Sequence, residues 1–537
     1  MKVVEEIKNK PSRKKSWTLS TKVFYRMALI YLTLPLLLFF IGYLRIYWAA
    51  FFTLAVGAAC ALSMRSFERN TDGSIPDIQE RSIEIKPSYI IVLLLLIPPL
   101  LYWAGVSEFG NCTEDHRVRY AILNDLVEYK WPVVYDFATQ QNPQVAAALG
   151  SGKAAFAYYF VFWMVPSLIG KLFGLMAARI ALLIWSGLGL FLIATGASLL
   201  YKRASRLLFL LLILFAGFDV IPYAINRLTG HAATWECWTK HLFIHGNYYQ
   251  LMNVFNQSIP GWLITILLML NVNSRSIGLL GGLMFCYSPW ATIGILPLCI
   301  CKFIVANRTP KTTTHSTFAR NLLRNLFTVE NLALPIISLV LFGSLYTANP
   351  NATGADGFIW KFYDSPWVFF RDYLLYAFFE FGLWFILVIR KNKKDPMLWT
   401  AFATLLVLPI YKISIANDFL MRGSMAPMFL ISLYAVMYVN KNFEKCRSND
   451  LPFAEAFVGR AVLALALIAA YTPINHIFSN ALISYQMHFT DIVNYEDEVH
   501  KIGSFGNIIN EDELTTVQAQ FYVYDYEDAI FFKYFAK

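Results

Sequence analysis

"VFYRMALIYLTLPLLLFFIGYL", residues 23–44, decides the fold. Arg26 is its only charged residue. As an α-helix rising 1.5 Å per residue the stretch is about 33 Å long, enough to cross ~30 Å of hydrocarbon. Lipid supplies no hydrogen-bond partners, so a crossing segment must satisfy its own backbone, and a continuous apolar run of this length does so as a helix. Comparable runs recur as far as residue 480. A composition of 57% hydrophobic residues and a mean hydropathy of +0.49 exclude an ordinary soluble domain. The chain therefore reads as an all-α, polytopic transmembrane bundle.

The formal net charge of +10 raises the possibility of nucleic acid. Its distribution argues against that, because the basic residues gather at the ends of apolar segments, as the positive-inside rule requires. Lys8, Lys10, Arg13, Lys14, Lys15 and Lys22 precede the first span and predict a cytoplasmic N-terminus. Arg45 and a second span follow at once, where a cleaved signal peptide would show a small-residue cleavage site. About thirteen spans are predicted, near 23–44, 46–64, 88–106, 180–200, 206–222, 255–273, 276–288, 290–305, 330–348, 366–390, 397–414, 423–440 and 459–480. This places the basic connectors, among them Arg65 and Arg69, Lys202 and Arg203, Arg308 and Lys311, and Lys391 and Lys393, on the cytoplasmic side. The opposite side receives outer loops 107–179, 223–254, 349–365 and 415–422, and a tail from about 481.

Two segments depart from simple crossing. Residues 154–174, "AAFAYYFVFWMVPSLIGKLFG", are apolar, but a crossing there would invert the side of Lys202, Arg203 and Arg206. They are expected to lie in the outer interface, broken near Pro166. Residues 276–305 are too long for one upright span and are expected to form two short helices meeting at Ser288 and Pro289. Of seven cysteines, Cys112 and Cys237 alone are predicted to face outward, where a disulfide between them is permitted.

Chemistry concentrates in the outer segments. "NCTEDHRVRYAILNDLVEYKWPV", 111–133, predicts a surface helix with Thr113 as N-cap and an apolar stripe of Val118, Ile122 and Leu126. Acids in a first turn complement the helix dipole, and Asp115 with Arg119 forms an i, i+4 pair. The competing functional reading makes Asp115 or Glu114 a general base, with His116 and Arg117 beside it. In the second loop Glu236 and Lys240, and likewise His241 and His245, have i, i+4 spacing. The first reads as a surface pair and the second as half of a metal site without a third ligand. Asn256 and Gln257 stand near Pro260 and Gly261 at the mouth of a span. Lys412, Asp418 and Arg422 bracket a break between two spans. Asp418 and Arg422 could satisfy one another, or Arg422 could be held at the outer boundary by an anion, with a lipid phosphate as the obvious choice.

At these residues a resemblance emerges. "EDHRVRYAILNDLVEYKWPVVYD", "AYYFVFWMVPSLIGKLFG", "NVFNQSIPGW" and "NDFLMRGSMAP" resemble segments of bacterial envelope proteins related to the GT-C glycosyltransferases. The likeness covers most of the chain after residue 88. It implies a GT-C-like core at 88–480, preceded by a leading unit at 1–87 with two additional spans and followed by a short outer tail at 481–537. It further implies a catalytic carboxylate in the first outer loop, where Asp115 and then Glu114 match, and a polyprenyl-phosphate-linked sugar as donor substrate. His116, Arg117, Glu236, His241, Asn256, Gln257, Lys412, Asp418 and Arg422 are the expected substrate-binding residues. No metal ligand is assigned and a divalent-metal requirement stays open. The expected partners are membrane lipid, the lipid-linked donor and a glycan or lipid acceptor, with no nucleic acid, at a bacterial inner membrane. A transporter or flippase of a lipid-linked or anionic substrate is the alternative, although transporters usually hold their charges at mid-membrane.

Overall fold

The computed structural model describes residues 16–68, 81–107, 109–137, 152–231, 233–270, 274–308, 315–348, 356–414, 417–447, 452–490, 502–506 and 520–537. Lys8, Lys10, Arg13, Lys14, Lys15, Arg69 and Lys311 lie outside the described residues.

The chain is mostly helical. In order the helices are α1 (Thr21–Tyr43), α2 (Ile46–Glu68), α3 (Pro87–Trp103), α4 (Glu114–Glu128), α5 (Met164–Phe173), α6 (Leu175–Tyr201), α7 (Arg206–Ile213) and α8 (Val220–Leu228). There follow α9 (Asn247–Leu270), α10 (Ile277–Tyr287), α11 (Pro289–Asn307), α12 (His315–Leu326), α13 (Val329–Tyr346) and α14 (Pro366–Tyr376). Last come α15 (Leu383–Ile389), α16 (Pro396–Val407), α17 (Asp418–Gly423), α18 (Met425–Cys446) and α19 (Phe453–Phe489). A π-turn at Ala377–Gly382 joins α14 to α15. Among the described residues, eight helices are long and apolar enough to cross a membrane, counting α14 and α15 as one. α3 and α16 are apolar but shorter.

One device starts three of these helices. Ser288, Ser365 and Asp395 each precede a proline, and each side chain accepts a backbone N–H two or three residues on. Proline at the first helical position lacks a donor that would be orphaned there anyway, so cap and proline together fix where the helix begins. At Ser288 the device separates α10 from α11 at the break expected from "YSPW".

Short sheets define the two ends of the bundle. At the end where α1 starts, β1 (Trp17–Ser20) pairs antiparallel with β2 (Ser82–Ile85). At the far end β3 (Val134–Asp136), β4 (Lys153–Phe156) and β7 (Tyr522–Tyr524) form an antiparallel sheet that draws the tail onto the first long loop. β5 (Gly357–Phe358) pairs there with β6 (Tyr411–Lys412). Arg45, in the turn between α1 and α2, donates from Nε to the Ala536 carbonyl (2.9 Å) and from Nη2 to that of Lys533 (2.7 Å). The first long loop, the turn after α1 and the tail thus share one end.

The core runs along α9, 89% of whose apolar window is buried against 22% for α19, so α9 is the axis and α19 an outer post. α1 packs on α2, α5, α6 and α9, which joins the two leading helices to the rest.

The structure revises several sequence boundaries. Residues 154–174 hold β4, a single 3-10 turn and the ten-residue α5, only about 15 Å long, so no helix there is long enough to cross upright. The span expected at 206–222 is helical only to Ile213, followed by irregular chain and then α8. Residues 233–246 contain no helix, so the i, i+4 pairings expected for Glu236 with Lys240 and for His241 with His245 lose their geometric basis. Cys112 and Cys237 form no disulfide. Cys112 packs beside Tyr120 at the start of α4, whereas Cys237 sits in a turn closed by Thr234.

Candidate functional site

Helix α4 is anchored before it presents its acids. Thr113 and His116 close its first turn. His116 Nδ1 accepts the Thr113 backbone N–H at 2.9 Å, and Nε2 lies 3.0 Å from the Ala104 carbonyl, to which it donates. Gly105, at φ +69°, permits this approach, since a Cβ there would run into the His116 ring and the Asn111 carbonyl. Burial, then the charge on Arg119, pushes the His116 pKa down to about 4. The ring is a neutral clamp with both nitrogens committed to local partners, and its expected role as a substrate ligand gives way to a structural one.

Glu114 and Asp115 face the other way. Glu114 is exposed and pairs with Arg117. The Asp115 side chain is 58% accessible, and its Oδ2 lies 3.6 Å from Nη2 of buried Arg119. Arg119 in turn stands 5.6 Å over the Phe255 ring and donates weakly to the Met252 carbonyl at 3.4 Å. The loose contact leaves the carboxylate able to take a proton while its cation fixes its position.

Arg422 comes from the opposite edge. It projects from α17, which packs tightly on α11 because Gly294 meets the Gly423 backbone with no room for a Cβ. Arg422 Nη1 lies 2.9 Å from Asp418 Oδ1, the i, i+4 pair expected from spacing, and its guanidinium stands 5.8 Å over the Tyr159 ring. Its Nε is buried with no hydrogen-bond partner. Burial opposes the Arg422 charge, but Asp418, Tyr159, Tyr158 and Asp115 together outweigh it and hold the guanidinium above its ordinary range. Asp115 and Arg422 therefore feel one another's field. Tyr158 and Tyr159, adjacent rings at 4.2 Å, lie between the two sides.

The remaining expected residues fall into three places. Glu236 is buried. Its Oε2 accepts the Gly246 N–H (2.9 Å) and lies 3.6 Å from His245 Nδ1, while Oε1 is 3.8 Å from His476 Nε2. His241 and Lys412 sit together against Phe362. Asn256 and Gln257 are buried just past the kink at Val254 in α9; Gln257 has no hydrogen-bond partner for either amide atom. Sequence reasoning missed His476, whose ring joins those of His245 and Tyr249 around Glu236. It also missed Asp219 and Glu380, which both accept from Trp238 Nε1, at 3.2 and 3.1 Å. Glu380, an acid inside a long apolar run, was the available signal. Among the described residues no three His, Cys, Asp or Glu groups form a set able to hold a metal ion.

Comparison with family models, curated proteins and solved structures gives no match.

Proposed function

We propose that this chain is a membrane glycosyltransferase of GT-C-like architecture, moving a sugar from a polyprenyl-phosphate donor to a glycan or lipid acceptor. On this reading it crosses a bacterial inner membrane about thirteen times, with the end that carries α4 and the tail outside. The observation that carries the reading is that a half-accessible carboxylate, Asp115, and a largely enclosed arginine, Arg422, stand at the same end of the bundle with tyrosines between them.

The chemistry needs little more. Asp115 takes the proton of the acceptor hydroxyl as that oxygen attacks the anomeric carbon. The bond from that carbon to the phosphate oxygen breaks and its electron pair leaves with the polyprenyl phosphate. Arg422 then offsets the charge growing on the leaving group, using donors that Asp418 holds in the resting state. Arg119 keeps the base in place. A transporter would bind the same anion at Arg422 without needing a base at Asp115.

The test is transfer by purified protein in detergent from a polyprenyl-phosphate sugar to envelope glycolipid, followed by mass spectrometry. Transfer lost in Asp115→Asn, with polyprenyl phosphate still retained, supports the enzyme. Donor binding with no transfer by the native chain favours the transporter.

A further inference from the structure

Beside Arg422 lies a second polar place that the transfer chemistry above does not use. His241 is 7% exposed, and neither ring nitrogen makes a hydrogen bond of good geometry. Its ring stands edge-on to Phe362 at 5.8 Å and to Tyr363 at 5.7 Å. The Tyr363 hydroxyl is also buried and unpartnered. Lys412, on β6, lies with Nζ 4.3 Å over the Phe362 ring and donates to the Ser414 carbonyl at 2.7 Å. Asn417 donates to the His241 carbonyl (2.8 Å) and its Oδ1 accepts from Leu420 N–H, so the residue that caps α17 ties this place to the helix carrying Arg422.

Buried polar atoms without partners are uncommon because each forfeits its hydration, at a cost of about 1–3 kcal/mol. Three converge here, the two ring nitrogens of His241 and the Tyr363 hydroxyl, beside two cations. Lys240 and Lys412 both face His241, and after burial they are what push its pKa down to about 4. Asp356 and Asp418 are the acids that act on Lys412. An anion between the lysines would reverse the field on His241 and turn its ring into a donor. The faces of Phe362 and Tyr363 offer the apolar surface on which a sugar ring packs.

We propose that His241, Lys412, Lys240, Phe362 and Tyr363 form an acceptor subsite for a sugar bearing an anionic group, either phosphate or carboxylate. This rests on the glycosyltransferase reading and specifies its acceptor: donor phosphate at Arg422, acid group of the acceptor at Lys412.

The experiment uses the full chain in detergent, with ring-15N histidine, at pH 6. Inorganic phosphate and glucuronate are titrated separately and the His241 resonance, assigned by its loss in His241→Gln, is followed. Movement toward the protonated position is expected with at least one anion. Phosphate alone marks a phosphorylated acceptor and glucuronate alone an acidic sugar. Lys412→Gln should weaken the response about tenfold, and the exposed Lys240→Gln does the same service if Lys412→Gln does not fold. Arg422→Ala should leave it intact. No response to either anion, or a response unchanged in both lysine variants, overturns the subsite. If the anions bind as expected but the native chain transfers no sugar, the subsite stands and the glycosyltransferase reading falls. Transfer confined to uncharged acceptors, with no anion response, does the reverse.

Discussion

The guanidinium of Arg422 stands 5.8 Å over the ring of Tyr159, so the helix break at 417–424 and the loop at 153–163 are held together through one cation. If that cation retains the donor phosphate, Arg422→Lys keeps charge but loses the planar fork and should weaken retention of polyprenyl phosphate about tenfold. Arg422→Ala should weaken it further, along with turnover. Native mass spectrometry of lipid carried through purification reads both. Equal retention in all three proteins would remove the phosphate from Arg422.

Asp115→Asn preserves shape but cannot accept a proton. Transfer should fall by about 10² or more while the melting temperature stays near that of the parent, because Asp115 is half exposed. Glu114→Gln should keep most activity, since Glu114 points to solvent and pairs with Arg117. Full transfer in Asp115→Asn and none in Glu114→Gln moves the base by one residue. Full transfer in both leaves the transporter ahead.

The clamp at His116 has a pH signature. A base whose folded pKa is depressed binds fewer protons folded than unfolded, so its stabilisation is present above 6.5 and is lost as pH falls toward 4. The loss amounts to roughly 3 kcal/mol at most. Asp125, on the same helix, acts with opposite sign: burial lifts its carboxyl to about 6 from 3.8, so its contribution fades as pH rises through that window. Because the two nearly cancel, thermal stability between pH 4 and 7 should climb more steeply with pH in Asp125→Asn and turn downward with rising pH in His116→Asn. Unchanged slopes in both variants refute the assignment.

Single cysteines at Ser205 and Asp528 should react with impermeant maleimide from opposite faces of sealed vesicles. The two positions lie at opposite ends of the bundle, because Ser205 follows α6, a helix long and apolar enough to cross, and Asp528 follows β7 in the sheet with β3 and β4. Labelling from one face alone would break both the bundle geometry and the outward placement of α4.

What the sequence carried well was local. The Ser288–Pro289 break, the Thr113 start of α4 and the pairs Asp115–Arg119 and Asp418–Arg422 all follow from rules acting over a few residues, and the structure has each of them. Spacing failed at Glu236, His241 and His245, because i, i+4 means proximity only on a helix and this loop has none. Glu236 instead meets the Gly246 N–H and His245 on one oxygen and, on the other, His476, far along the chain on α19, a contact that no local pattern encodes. Asn256 and Gln257 do stand where a helical segment starts, just past the kink at Val254, but a further helical stretch from Asn247 precedes them and both amides are buried.

The hold of Arg45 on the Lys533 and Ala536 carbonyls spans a sequence separation of up to 491 residues. A turn made at the first hairpin is thus completed only by chain synthesised after every long helix is in place. Until then its guanidinium must rely on water or lipid headgroups. The outer sheet faces the same delay, since β7 cannot join β4 earlier. The contacts at this end are therefore the last that the chain can complete. A chain cut after α19 should insert normally and yet remain open at the end where the candidate site lies.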